Sequence, residues 1–247
     1  MNNIYINNYP TINLYEKALS RSKIVTQMIY GESFSVLNRT KKWLKIKIKE
    51  DNYIGYIENK NFSKFLKPTH KISILKARIF KEPNNRKKLG ELSFGSKIKI
   101  TNRYKNFVKF NKFWIKSKNV KPIKFTYKNL FHGIKKFKGV KYKWGCKTFE
   151  GIDCSALVQV FLNFNNRYCP RDTKQQIKYF LKTKTLKNIK KNDLLYWKGH
   201  VAIALSKKKL IHAYGPMKKT VISDINITIK KIKKTANLQL LSIKKII

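Results

Sequence analysis

Short alternating segments in the first half of the chain constrain its fold more than any other feature. In the region from residue 12 to 65, apolar and polar side chains largely alternate within residues 33–37 and 43–48, and a further short strand segment follows at residues 53–57. A polar turn at residues 49–52 separates the last two segments. Alternation of this kind, interrupted by turn residues, predicts short antiparallel strands. We therefore expect this region to form a small all-β barrel.

The same pattern returns between residues 72 and 123. A turn at residues 82–85 interrupts it, and its predicted strands lie at residues 77–80, 92–95, 97–100, 107–110 and 113–115. A repeat of this kind indicates a duplicated small domain. The Trp43 segment and the closing Gly55-Tyr56-Ile57 segment resemble bacterial SH3-like domains, and the first copy fits better than the second. We predict domains at residues 1–66, 67–124 and 125–247.

From residue 125 the pattern changes. Leu157, Val158, Phe161 and Leu162 fall on one face of a helix over residues 153–164. A second helix is predicted at residues 173–181. Strands are predicted at residues 193–197, 200–205 and 209–213, with a closing strand at 238–247. A helix followed by an antiparallel sheet predicts an α+β domain.

The net charge of +45 is unusual, and it comes almost entirely from lysine, because only seven of the 57 basic residues are arginine. One interpretation is a polyanion-binding protein. The alternative is a codon bias towards Lys, Ile and Asn, which the spread of lysines along the whole chain favours. In either case the charge predicts salt-dependent, non-specific adhesion to polyanions, including nucleic acid, and no dedicated nucleic-acid site.

The termini and the cysteines bear on location. Residues 1–10 contain no secretory signal pattern, and no run approaches the roughly 18 apolar residues of a membrane span. We therefore expect no membrane partner. Three cysteines, Cys146, Cys154 and Cys169, are an odd number, which argues against a disulfide framework and for a reducing compartment. A cytoplasmic location is the expectation.

Cys154 is the candidate nucleophile. It follows Asp153, a good N-cap residue, at the predicted start of a helix, where the helix dipole favours a thiolate. The charge of Asp153 opposes this effect, so a base is needed. His200 and His212 lie on consecutive predicted strands, and an antiparallel hairpin would bring them together so that one orients the other. A buried structural cysteine remains the alternative on these features alone.

The same residues could instead form a metal site. One cysteine and two histidines can bind zinc, but no fourth ligand is evident and Cys-x-x-Cys spacing is absent. We therefore predict neither a metal nor a cofactor.

Six short segments, in order, resemble the NlpC family of papain-like cysteine peptidases, which cut bacterial cell-wall peptides. They are residues 139–145, 151–159, 170–173 with Gln176, 192–194, 200–203 and 211–213. The resemblance implies a papain-like catalytic domain preceded by two small SH3-like barrels. It also implies that Cys154 is the nucleophile, His200 the general base and His212 the group that orients His200.

The resemblance implies substrate-binding roles for further residues. Tyr142 corresponds to a tyrosine near the oxyanion site, and Asp153 and Ser155 flank the nucleophile. In relatives that act on short free peptides, the acidic residue at the position of Asp153 helps to hold the substrate's amino terminus. Arg171 and Asp172 match a further binding segment. The alternatives are a core aromatic for Tyr142, a plain helix cap for Asp153 and a chance arginine at position 171.

The expected function is hydrolysis of γ-D-glutamyl-diamino acid bonds in short cell-wall muropeptides, as in peptidoglycan recycling. One alternative is an exported endopeptidase that cuts intact peptidoglycan. Another is an inactive basic binding module, against which the joint presence of Cys154, His200 and His212 argues. We expect the SH3-like units to limit the substrate groove, with Tyr30 or Tyr56 reaching it.

Overall fold

The computed structural model describes residues 4–84, 86–181 and 183–246, which fall into two compact units. The first unit runs to Thr126 and includes Lys147–Phe149, and the second comprises Tyr127–Cys146 and continues from Glu150. Within the described ranges, no helix is long and apolar enough to cross a membrane. The division into domains 1–66, 67–124 and 125–247 remains a prediction, because the first unit contains both predicted barrels.

The first barrel is one antiparallel sheet. Its strands are β1 (Ile4–Ile6), β2 (Thr11–Tyr15), β3 (Ile24–Ile29), β4 (Ser33–Arg39), β5 (Trp43–Ile48), β6 (Ile54–Glu58) and β7 (Ser63–Lys64). They are ordered β3-β2-β6-β5-β4-β1-β7. Alternation sets the core, since Leu44, Ile46 and Ile48 of β5 are all buried on one face. The all-β prediction for this region is confirmed.

The second barrel has two sheets, ordered β10-β9-β14-β13-β12 and β11-β8-β15. Its strands are β8 (His70–Ile72), β9 (Lys76–Phe80), β10 (Lys88–Ser93), β11 (Lys97–Ile98), β12 (Ile100–Tyr104), β13 (Phe107–Phe110), β14 (Phe113–Lys116) and β15 (Val120–Pro122). The single strand predicted at residues 97–100 is wrong, because the chain leaves one sheet after Ile98 and enters the other at Ile100. Gly95, predicted in a strand, has φ +84 in a turn. Asn85, part of a predicted turn, lies outside the described residues.

A turn of the first barrel supplies part of the second barrel's core. Tyr30 is 7% exposed and packs among Ile72, Ile98 and Phe110. Gly31 has φ +79, and a Cβ there would lie 2.0 Å from the carbonyl oxygen of Lys97, so only glycine fits this close approach. The expectation that Tyr30 reaches a substrate groove does not fit this burial.

A buried ion pair holds a late segment of the chain in the first unit. The Nζ of Lys147, in β16 (Lys147–Thr148), donates to Oε1 of Glu32 at 2.8 Å, and both side chains are almost fully buried. The backbone N–H of Lys147 donates to Oε1 of Gln27 at 3.0 Å. The backbone N–H of Ile29 donates to Oε2 of Glu32 at 2.8 Å. Burial raises the pKa of Glu32.

The second unit is α+β, as predicted. Its elements are β17 (Gly151–Ile152), α1 (Cys154–Phe164), α2 (Thr173–Tyr179), β18 (Thr183–Lys184), β19 (Leu194–Trp197), β20 (His200–Ala204), β21 (Lys209–Tyr214), β22 (Lys219–Asp224), α3 (Ile225–Ala236) and β23 (Ser242–Lys244). The antiparallel sheet is ordered β18-β23-β19-β20-β21-β22. Short 3₁₀ turns of this unit lie at Ile134–Phe137, Leu186–Asn188 and Gly215–Met217, and another lies in the first unit at Ser117–Asn119.

Helix α1 packs against β20 and β21, and nearly all of its residues are buried. Helix α3 was not predicted. The carboxylate of Asp224 caps its start, and Ile225 and Ile232 pack into the core beneath the sheet. The predicted second helix ends two residues early, at Tyr179. Only Ser242–Lys244 of the predicted closing strand pairs, and Ile247 lies outside the described residues.

Candidate active site

Cys154 is the first residue of α1, and only 5% of it is exposed. Its Sγ lies 3.9 Å from the carbonyl oxygen of Gly199, and the backbone N–H of Val201 hydrogen-bonds to the sulfur. These two backbone groups flank His200. The fold therefore places the thiol against the start of β20, beside the predicted base.

The two predicted histidines meet across the β20–β21 hairpin. Nε2 of His200 lies 2.8 Å from Nδ1 of His212, which is 2% exposed. Because Nε2 of His200 faces His212, Nδ1 is the nitrogen left to take a proton from the thiol. The ring of Tyr214 stacks on His212 with centroids 4.6 Å apart and fixes its plane.

Burial sets the protonation state of the three candidate catalytic groups. It lowers the pKa of His200 to about 4. It lowers the pKa of His212 to about 3, helped by the nearby charges of His200 and Lys231. Burial, and then the charge of Asp153, raises the pKa of the Cys154 thiol to about 12. At neutral pH the thiol and both imidazoles are therefore uncharged, and nucleophilic attack requires transfer of the thiol proton.

Asp153 lies at the centre of a buried polar network. As the N-cap of α1 its Oδ1 accepts from the backbone N–H of Ala156 at 2.8 Å, and its Oδ2 accepts from that of Gly145 at 2.9 Å. The guanidinium of Arg171 reaches both oxygens, with Nη1–Oδ1 at 3.1 Å and Nη2–Oδ2 at 2.5 Å. The Ser155 hydroxyl donates to Oδ1 at 3.2 Å and accepts from Nη1 at 2.9 Å.

These contacts bear on the predicted substrate-binding roles. The carboxylate of Asp153 is engaged by groups of the protein itself. The bidentate carboxylate contact expected for Arg171 is also made, and its partner is Asp153. Binding of the substrate's amino terminus by Asp153 and its neighbours remains a prediction.

Tyr142 and Asp172 are the other two predicted substrate-binding residues. The backbone of Tyr142 forms an isolated parallel β-bridge with Ile152. Burial raises the pKa of the Tyr142 hydroxyl, and the neighbouring Cys154 and Asp153 raise it further. The side chain of Tyr142 therefore lies near Cys154 and Asp153. Asp172 is at the N-cap position of α2, where its carbonyl oxygen accepts from the backbone N–H of Gln176 at 2.9 Å.

Two supporting residues were not given a role from sequence. Gln176 is fully buried, and its Nε2 donates to the carbonyl oxygens of Ser155 at 3.0 Å and Pro170 at 2.8 Å. It thereby ties the first turn of α1 to the segment that carries Arg171. Tyr214 could have been found from strand alternation, because it lies two residues after His212 on the same face.

Comparison with known proteins agrees with this layout. Residues 139–236 match the sequence model of the NlpC/P60 family. Residues 14–62 match the model described as the bacterial dipeptidyl-peptidase SH3 domain. The first match includes all eight predicted site residues, and the second covers most of the first barrel.

Three of the similar proteins come from bacilli. Dipeptidyl-peptidase 6 of Lysinibacillus sphaericus is 36% identical over 72 residues, which are 29% of this chain and 27% of that protein. Gamma-D-glutamyl-L-lysine dipeptidyl-peptidase of Bacillus subtilis (strain 168) is 25% identical over 215 residues, covering 77% of this chain and 72% of that protein. The crystal structure of an NlpC/P60 family protein from Bacillus cereus ATCC 10987 has a TM-score of 0.84 at 16% identity, covering 98% of this chain and 99% of that one. That likeness shows the same fold.

Proposed function

Because residues 139–236 form a domain of the NlpC/P60 family of cysteine peptidases, we propose that this chain hydrolyses γ-D-glutamyl-diamino acid bonds in short cell-wall peptides. The observation that carries the proposal is the position of Cys154 beside His200. On the other side of the His200 ring, Nε2 lies 2.8 Å from Nδ1 of His212. The bond type is supported by the name of the Bacillus subtilis relative, which is 25% identical.

The first step is acylation of Cys154. His200 accepts the thiol proton at Nδ1 while Sγ attacks the substrate carbonyl carbon. His212 stabilises the resulting imidazolium, because its Nδ1 accepts a hydrogen bond from the Nε2–H of His200. The carbonyl oxygen becomes an oxyanion, for which the backbone N–H of Cys154 at the start of α1 and the hydroxyl of Tyr142 are the proposed donors. His200 then gives its proton to the departing amine as the carbon–nitrogen bond breaks.

The second step is hydrolysis of the thioester. His200, neutral again, takes a proton from a water molecule that attacks the acyl carbon. The carbon–sulfur bond breaks, the new carboxylate leaves, and Cys154 regains its proton. The low pKa of His200, about 4, keeps this base unprotonated throughout the neutral range.

A cytoplasmic site of action is part of the proposal. Cys146, Cys154 and Cys169 are all free thiols, a state that a reducing compartment maintains. Cell fractionation with an antibody to this chain tests the location. Recovery in the wall or culture fraction would favour the exported endopeptidase instead.

The activity is tested with L-Ala-γ-D-Glu-diaminopimelate and its L-lysine analogue, using mass spectrometry to follow the products. We expect release of the L-Ala-D-Glu dipeptide from at least one of them. Cys154→Ala should lower the rate by at least about 10³-fold, whereas Cys169→Ala, a matched change at another buried thiol, should retain it. Unchanged cleavage by Cys154→Ala would show that another nucleophile acts.

A further inference from the structure

Arg171 is unusual because arginine is rare in this chain and because its side chain is buried. It is one of only seven arginines among 57 basic residues, and it is 1% exposed. Its guanidinium forms two hydrogen bonds to Asp153 and one to Ser155, the two residues that flank Cys154. A lysine ammonium, which is a point charge, could not hold both carboxylate oxygens in one fixed plane.

The position of Asp153 creates an electrostatic problem for the nucleophile. Its carboxylate caps α1 directly before Cys154, and a negative charge at that distance opposes formation of a thiolate. The cap cannot simply be removed, because it satisfies the backbone N–H of Ala156 and also holds Gly145. A positive charge that contacts the same carboxylate meets both requirements, since it keeps the cap in place and offsets its negative charge.

We propose that Arg171 is a positioning residue of the peptidase reaction: it fixes the Asp153 cap at the start of α1 and cancels its negative charge towards the Cys154 sulfur. This inference rests on the proposed function and assigns Arg171 a role inside the protein, where the resemblance alone implied contact with substrate. The bidentate geometry, the nearly complete burial and the link to Ser155 carry it.

The other ionisable groups around the thiol do not carry charge at neutral pH. His200 comes from β20, Tyr142 from the segment before β17, and Tyr196 from β19. Burial lowers the pKa of His200 and raises the pKa of both tyrosines, so all three are neutral. The neighbouring Cys169 is a fully buried thiol. Asp153 and Arg171 are therefore the charges that decide the field at the sulfur among these groups.

The test measures thiolate formation without any peptide substrate. The full-length protein is treated with iodoacetamide at pH 8, and the alkylation rate of Cys154 is followed by peptide mass mapping. This rate follows the thiolate fraction. We expect Arg171→Gln to lower it about tenfold and Asp153→Asn to raise it about tenfold, because each variant leaves one charge uncompensated. The double variant should return to within about threefold of the native rate.

Arg171→Lys separates charge from geometry. It keeps the positive charge, so the alkylation rate should stay within about threefold of native, while kcat falls because the cap is less firmly held. A substrate-contact role predicts the opposite pattern, with a higher KM and unchanged alkylation in every variant. That pattern would overturn the proposal.

Two further outcomes are also decisive. If circular dichroism shows that Arg171→Gln is unfolded, Asp153→Asn and the double variant still decide, and an unchanged alkylation rate in Asp153→Asn refutes the inference. If the native protein cleaves none of the cell-wall peptides, the proposed function fails. The alkylation rates still report the field at Cys154 in that case, so the two failures are distinguishable.

Discussion

Among the residues that the structure describes, each unit buries one ion pair almost completely, and the two pairs are built differently. In the β-rich unit, Lys147 contacts one oxygen of Glu32 at 2.8 Å. In the catalytic unit, Arg171 contacts both oxygens of Asp153. An ammonium attracts a carboxylate without fixing its orientation, whereas a guanidinium fixes its plane. The first pair fastens a chain segment, and the second orients the groups beside a nucleophile.

The pairs also differ in how fully the carboxylate is compensated. Glu32 has the backbone N–H of Ile29 as its second donor, and burial raises its pKa. Asp153 has the N–H groups of Gly145 and Ala156 in addition to Arg171. A buried carboxylate with few donors can relieve its charge by taking up a proton. One with many donors depends on every partner.

The largest expected effect follows from that dependence. Arg171→Gln should cost about 3–5 kcal/mol of local stability, because it leaves a buried carboxylate without its counter-charge. Hydrogen exchange of the α1 amides, measured by mass spectrometry, reports this loss for the catalytic unit alone. Protection in α1 that stays within about 1 kcal/mol of native would show that the pair is not a determinant of this unit.

Lys147→Met should cost less, about 2–3 kcal/mol at pH 7, since Glu32 can become protonated. The cost should shrink at pH 5. The pKa of Glu32 is raised in the folded state, so folding is coupled to the uptake of a proton by Glu32. Proton uptake becomes more favourable as pH falls, and the loss of stability becomes smaller. Exchange of the β3 amides, corrected for the intrinsic rate at each pH, measures this.

Lys97→Met is the matched control for that experiment. Lys97 contacts Glu50 at 2.7 Å in the same unit, but its side chain is 24% exposed. Water can replace the lost contact, so the cost should stay below about 1 kcal/mol. A penalty for Lys147→Met that grows as pH falls would contradict the account of Glu32.

Acid should affect Glu32 and the two buried histidines in opposite directions. Burial holds the pKa of His200 at about 4 and that of His212 at about 3, both below the ordinary value of 6.5. Between pH 6.5 and about 4 the unfolded chain therefore binds protons that the folded chain does not. The free energy of unfolding decreases as the pH is lowered through this range. Each histidine contributes at most about 1.4 kcal/mol per pH unit.

His212→Asn should flatten this acid response of α1 and β20, measured by hydrogen exchange at pH 6.5 and 5. His132→Asn is the control, because His132 is exposed at the surface beside Tyr127. Equal acid sensitivity in native protein and His212→Asn would mean that the buried histidine does not couple to stability.

Local pattern predicted several elements of both units. Strand alternation located β5 without error, and the Asp153 cap with its apolar face located α1. The His200–His212 hairpin followed from two strands and a short turn between them. In each case neighbouring residues in the chain carry the whole signal, so no knowledge of distant contacts was needed.

Most of the omissions involve contacts between distant segments. Helix α3 is the exception, because Ile225, Ile229 and Ile232 fall at helical spacing after the Asp224 cap, a pattern already present in the sequence. The Arg171–Asp153 contact joins residues 18 positions apart, and the Glu32–Lys147 contact joins residues 115 apart. Charge partners at such separations leave no periodicity to detect.

The smallest expected effect tests the hydroxyl that links Asp153 to Arg171. Ser155→Ala removes one contact to each partner and leaves the pair itself intact, so we expect a loss of about 1 kcal/mol in α1 stability. Ser33→Ala is the matched change in the other unit, where the hydroxyl meets Glu50 at a long 3.4 Å, and it should cost close to nothing. Because Ser155 supports the pair without carrying charge, the alkylation rate of Cys154 should change less than threefold. A larger change in that rate than in Arg171→Gln would assign the control of the thiolate to the hydroxyl instead of the guanidinium.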